Sequence, residues 1–186
     1  MSLAESSDQN KLNMAEGILS SSVARGQSQD IALICEDETI TYQQLWDRVN
    51  QAGNAFSGMG IYSGDRIILL MRDTPEFFYV YLGLMKIGAV PIAISVRLSA
   101  AEVAYTINDS EAKGIIFDGV FFDLYNSIIE DIILEHKVII TDIEHAAYIF
   151  LPNIMALAST KLEAVRLKPE DPALWMYSSG TTGKPK

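Results

Sequence analysis

Cysteine, histidine and positive charge are all scarce in this chain. Cys35 stands alone among 186 residues, and His136 and His145 are the two histidines. One thiol excludes an internal disulfide framework, and two histidines without further cysteines give no zinc-type ligand set. Fourteen Lys and Arg face 24 Asp and Glu, for a net charge of −10 at pH 7. That balance weighs against nonspecific nucleic-acid binding and against polybasic contact with a membrane, both of which need positive surface. No apolar run approaches the roughly 18 residues of a membrane span; Phe77 to Met85 is interrupted by Lys86. No signal-peptide pattern stands at the N-terminus, so the sequon Asn108-Asp109-Ser110 reads as unused and the expected location is cytoplasmic. What the chain does have is 49% apolar residues, enough for one substantial core.

The apolar residues are organised in an alternating series. Residues 1–10 read as a flexible polar end. A helix is expected near Met14–Val23, followed by a hairpin of Ile31–Cys35 and Thr39–Thr41 that turns at Glu36-Asp37-Glu38. Thr41 and Gln44 form a capping box, with Leu45, Val49, Ala52 and Phe56 at helical spacing behind it. Gly58 and Gly60 end that helix; Gly58-Met59-Gly60 is a helix stop rather than a dinucleotide loop, because position 63 is Ser. Arg66–Met71 is a near-continuous apolar run, as in a strand covered on both faces. Asp73 or Thr74 then caps a helix with Pro75 in its first turn and Gly88 as its stop. Ala89–Ser95 is a strand, Ser99 and Glu102 cap a helix to about Ile107, and Lys113–Asp118 is a strand. Phe121–Leu134 is expected as a helix, Val138–Thr141 as a strand, Ala146–Ala158 as a helix and Ala173–Tyr177 as a final strand. Asp142 is expected to cap a helix, and the acidic residues Asp123, Glu130, Asp131 and Glu135 read as a solvated face. Lys161–Asp171 reads as an exposed connection. The alternation predicts an α/β fold, a mostly parallel doubly wound sheet with helices on both faces.

The chemistry gathers at the end, in Tyr177-Ser178-Ser179-Gly180-Thr181-Thr182-Gly183-Lys184-Pro185-Lys186. Glycines let backbone N–H groups turn toward an anion, hydroxyls add donors and lysine adds charge, so the segment reads as a phosphate-holding loop after a strand. Such loops lie beyond the carboxyl ends of parallel strands. It is not the common ATP loop G-x-x-x-x-G-K-S/T: the first glycine would fall at Ser178, and Pro185 replaces the hydroxyl residue. Its hydroxyls have no identifiable histidine base, which disfavours a nucleophilic hydrolase.

The order of these residues resembles the Tyr/Phe-Thr/Ser-Ser-Gly-Thr/Ser-Thr-Gly-x-Pro-Lys signature of adenylate-forming enzymes. Further resemblance lies in Thr41-Tyr42-Gln43-Gln44-Leu45, in Gly64 to Leu70, in Thr74-Pro75-Glu76-Phe77 and in Leu82 to Pro91. Within the family, Val23 to Gly26, Asp109 to Ala112 and Asp171 to Gly180 look most like benzoate-CoA ligases. The resemblance implies Mg-ATP activation of a carboxylic acid to an acyl-adenylate, and then transfer to CoA. It implies that Ser178, Ser179, Gly180, Thr181, Thr182, Gly183 and Lys186 hold the ATP phosphates, with Thr181 or Thr182 approaching the magnesium. Benzoate-like acids are the first expectation for the substrate and fatty acids the second.

The same resemblance implies that the catalytic residues, the acidic magnesium ligand and most of the acyl pocket lie downstream of Lys186. Residues 11–186 are therefore expected to be an incomplete N-terminal domain, inactive alone, with a homodimer possible through surface left uncovered. The competing expectation is a stand-alone, non-catalytic nucleotide- or phosphate-binding module.

Overall fold

The computed structural model describes residues 12–133 and 137–178. Helix α1 (Met14–Ala24) leads to an antiparallel hairpin of β1 (Ile31–Cys35) and β2 (Glu38–Thr41), and then to α2 (Tyr42–Gly58). The hairpin turns at Glu36, which takes the left-handed backbone at φ 50°. Both ends of α2 follow local rules. Thr41 and Gln44 make the reciprocal capping box, and Gly60 leaves the helix at φ 82°.

Strand β3 (Arg66–Leu70), α3 (Pro75–Lys86), β4 (Val90–Ala93), α4 (Ala100–Asp109) and β5 (Gly114–Phe117) follow. A 3₁₀ turn (Gly119–Phe121) continues into α5 (Phe122–Ile128), and β6 (Lys137–Ile140), β7 (Ile149–Phe150) and α6 (Leu151–Ala156) complete the series. The five strands β3 to β7 form one parallel sheet in the order β4-β3-β5-β6-β7. Alternation along β3 divides the core in two. Ile67 and Leu69 join the cluster beneath α1, α2, α3 and α6, whereas Ile68 and Leu70 join the cluster beneath α4 and α5. Helices therefore cover both faces, as a doubly wound sheet requires.

Three expectations are corrected. The helix over Phe121–Leu134 stops at Ile128, because Asn108 captures the following backbone. Its amide donates to Asp131 O at 2.8 Å and its carbonyl accepts from Ile133 N at 2.9 Å; Leu134 lies outside the described residues. The helix over Ala146–Ala158 is replaced by β7 and the shorter α6, whose start is set by Pro152 in its first turn. Asp142 caps no helix that follows it, because the next element is β7. It accepts from Gly119 N at 2.6 Å and from Arg72 at 2.9 Å.

One buried charge lies between α1 and α3. The Lys86 ammonium is 0% exposed, 3.0 Å from Glu16 Oε2, and lies 3.7 Å from the centroid of the Trp46 ring. The ion pair is close, but its angles do not make a hydrogen bond, so the aromatic face carries part of the compensation.

Candidate functional site

The route to the terminal loop begins where α6 ends. From Leu157 to Asp171 the chain runs without helix or strand across the outer side of α2 and α3. Segments without internal pairing need other partners for their carbonyls. Here the partners are carboxamides. Asn50 donates to Thr160 O at 2.7 Å, and Asn54 donates to Ser159 O at 2.7 Å and to Lys161 O at 2.9 Å. Farther along, Asn13 donates to Val165 O at 2.9 Å, Val165 N donates to Lys86 O at 2.9 Å, and Leu167 exchanges two backbone bonds with Leu12. This strap carries the chain from the β7 side of the sheet to the β4 side.

There the expected strand Ala173–Tyr177 is reduced to a single parallel bridge between Trp175 and Ile92, with Trp175 N donating to Pro91 O at 3.2 Å. The Trp175 ring lies under the Arg66 guanidinium, 5.6 Å from the centroid, and Met176 is 79% exposed. Tyr177 donates to Asp109 Oδ2 at 2.7 Å, and Tyr105 donates to the other oxygen of the same carboxylate at 3.1 Å. Burial, followed by the bond to Asp109, pushes the Tyr177 phenol well above its ordinary range, so it remains a neutral donor. The parallel sense of the bridge sends the chain past β4 toward the carboxyl edge of the sheet, where ligands of such sheets bind. Ser178 is exposed. The other expected phosphate-holding residues, Ser179, Gly180, Thr181, Thr182, Gly183 and Lys186, lie outside the described residues.

The carboxyl edge has a second polar cluster, at the switch point between β3 and β5 where the chain winds first to one side and then to the other. Asp118 is 2% exposed and accepts from Arg72 N at 2.8 Å, Arg72 Nε at 3.0 Å and Thr141 Oγ1 at 2.6 Å. Arg72 also donates to Asp142 at 2.9 Å. The bond to Asp118 raises the Arg72 pKa further, ahead of the opposing effect of burial. Beside them Gly119 leaves no room: a Cβ there would stand 2.5 Å from Ile143 Cδ1. Two carboxylates pair with the Arg72 guanidinium, so among the described residues lining this crevice no cation is left over for a phosphate. The cluster locks the ends of β3, β5 and β6 together. The sequence reading missed the cluster, although part of its signal is visible: Asp118 and Thr141 directly follow the apolar strands β5 and β6, and Arg72 stands two residues beyond β3.

Among the described residues, no three His, Cys, Asp or Glu side chains gather as a metal site, and no helix is long and apolar enough to cross a membrane. The fold has close counterparts. An anthranilate CoA ligase, AuaEII, solved in complex with anthranoyl-AMP, superposes at a TM-score of 0.90 with 29% identity, over 95% of this chain and 34% of that one. A 3-hydroxybenzoate/4-hydroxybenzoate CoA ligase of Thauera aromatica is 37% identical over 180 residues, covering 96% of this chain and 34% of the ligase. A 3-hydroxybenzoate CoA ligase of Aromatoleum sp. (strain CIB) is 35% identical over all 186 residues and 36% of its own length. The chain thus spans about a third of the length of these curated relatives. The family described as AMP-binding enzyme matches residues 21–186, nearly the whole chain. With the parallel sheet and the terminal signature in agreement with that match, the chain belongs to the AMP-binding enzyme family.

Proposed function

We propose that this chain forms the N-terminal third of an ATP-dependent aryl-CoA ligase acting on a benzoate-like acid in the cytoplasm. The observation that carries the reading is the terminal signature, which follows directly from a segment laid parallel to β4 at the edge of the sheet. In this reading Ser178, Ser179, Gly180, Thr181, Thr182, Gly183 and Lys186 hold the phosphates of ATP through backbone N–H groups, hydroxyls and one ammonium. Thr181 or Thr182 reaches the magnesium, which neutralises phosphate charge when bound. The carboxylate attacks the α-phosphorus, pyrophosphate leaves, and the thiol of CoA then displaces AMP. The contribution of this chain is positioning and charge neutralisation, with each charged hydrogen bond worth about 1.5–3 kcal/mol. Tyr177 and Trp175 fix the entry to the loop through Asp109 and Arg66.

The test is pyrophosphate release by the longer enzyme that carries this chain, assayed with benzoate, its hydroxyl and amino derivatives and a fatty acid. A benzoate-type acid is expected to give the highest kcat/KM, and Thr181→Ala or Lys186→Ala should lower it about tenfold or more. The 186-residue chain alone is expected to release none. Silence of the longer enzyme with every acid would refute the ligase reading.

A further inference from the structure

Asn13 stands where three segments meet: the start of α1, the end of α3 and the strap. Its side-chain carbonyl accepts from Glu16 N at 3.1 Å and so caps α1. Its amide nitrogen faces three carbonyl oxygens, donating to Met85 O and Lys86 O at 3.0 Å each and to Val165 O at 2.9 Å. Met85 and Lys86 close the last turn of α3, where carbonyls lack a partner within the helix. The cap needs only the acceptor, and Asp or Ser would serve α1 as well as Asn. Among the residues that favour this cap, Asn alone brings an amide to the carbonyls on its other side.

The bodies that Asn13 ties to the strap are themselves fixed. α1 buries Ala15 and Leu19, and Glu16 lies 3.0 Å from the buried Lys86 ammonium at the end of α3. On the strap, Val165 N donates to Lys86 O at 2.9 Å, and Leu167 exchanges its two bonds with Leu12. Leu167 also packs over Gly88, where a Cβ would stand 3.2 Å from its Cδ2. From there the route to the loop is short and stiff. Lys168 N donates to Asp171 Oδ2 at 2.8 Å and Asp171 N to Lys168 O at 3.0 Å, which closes a turn. Pro172 follows with its ring-fixed backbone, and Trp175 then meets Pro91 and Ile92 at β4. A shift of the strap at Val165 therefore reaches the residues that open the signature.

We propose that Asn13 is a positioning residue for the nucleotide loop, an assignment that rests on the ligase reading for the loop's role. By closing the strap on α1 and α3, Asn13 holds the chain that delivers the loop to the edge of the sheet. With the strap released, the loop would spend only part of its time in the position that takes the phosphates. The apparent affinity for ATP falls by that fraction, while the rate at saturating ATP is kept. Loss of a helix cap by itself has no such effect.

The experiment uses the longer enzyme that carries this chain, with Asn13→Asp as the variant. Asp keeps the cap acceptor but sets an anion against three carbonyl oxygens. Thr41→Ala removes a cap whose side-chain bond stays within residues 41–44, and it is the control for lost helix stability. Hydrogen-exchange mass spectrometry follows the segment around Trp175, and pyrophosphate release gives kcat and the KM for ATP. Asn13→Asp is expected to speed exchange around Trp175 and to raise the KM for ATP, each about tenfold, with kcat within about twofold of the parent. Thr41→Ala should leave all three unchanged. If Asn13→Asp fails to fold, Asn13→Ser, which keeps the cap and lacks the amide, carries the same test. Unchanged exchange around Trp175, equal acceleration in Thr41→Ala, or a fall in kcat at an unchanged KM for ATP overturns the proposal. Silence of the parent enzyme with every acid refutes the ligase reading instead, and the exchange comparison then still decides whether Asn13 holds the segment that leads to the loop.

Discussion

Gly83 marks the closest approach of α2 and α3, and a single methyl group there tests how rigid that crossing is. A Cβ at Gly83 would stand 2.9 Å from Ala52 Cβ, 3.0 Å from Gly53 N and 3.1 Å from Val49 O. Two of those three atoms are backbone of α2, so no rotamer change relieves them and the helices must separate. Overpacking of this kind costs about 1–3 kcal/mol, and the upper half of that range applies where backbone is the obstacle. Replacing a helical glycine by alanine returns about 1 kcal/mol of propensity. The net expectation for Gly83→Ala is a loss of about 1–2 kcal/mol, or about 3–6 °C in Tm for a chain of this size. Gly17 in α1 supplies the control, since a Cβ there meets nothing within 4 Å. Gly17→Ala should gain about 0.5–1 kcal/mol, because propensity acts unopposed. Circular-dichroism thermal and urea melts of the two variants, read side by side, separate packing from propensity. A Gly83→Ala chain as stable as Gly17→Ala would refute the rigid crossing.

Other perturbations act on polar contacts. Glu16→Ala strands the Lys86 ammonium and should cost about 3 kcal/mol or more, whereas Lys86→Met removes the buried charge itself and should lie within about 1.5 kcal/mol of the parent; urea melts compare them. Asn50→Ala removes the bond to Thr160 O and should cost about 1–3 kcal/mol, with faster amide exchange at Val165 and Leu167 in hydrogen-exchange mass spectrometry as the strap loosens.

How legible each part was depends on how far its causes reach along the chain. The capping boxes Thr41/Gln44 and Ser99/Glu102 lie within four residues, and both form as read. The buried strands β3 and β5 were plain because a strand covered on both faces is apolar throughout. The end of α5 was not legible, since the residue that diverts it, Asn108, stands 23 positions before the carbonyl it captures. Strand β7 has two residues, too few for any period to show. Arg72 and Asp118 are 46 residues apart and meet only because β3 and β5 are neighbours. Asn50 and Asn54 lie within α2, and nothing local marks them as anchors for a segment more than 100 residues away. The phosphate signature could be read complete in the sequence, although most of it falls outside the described residues.

The strap has one more consequence, which concerns register. Asn50 and Asn54 hold it at residues 159–161, Lys86 and Asn13 hold it at Val165, and Leu12 holds it at Leu167. Between the last of these fixed points and the bridge at Trp175 the chain has a set number of residues. It therefore works as a ruler that decides which residue meets Ile92. Side chains along an extended segment alternate in direction, so removing one residue between Leu167 and Trp175 would bring Met176 to the bridge. Trp175 and Tyr177 would then face away from Arg66 and Asp109. Length in this stretch is under tighter constraint than composition.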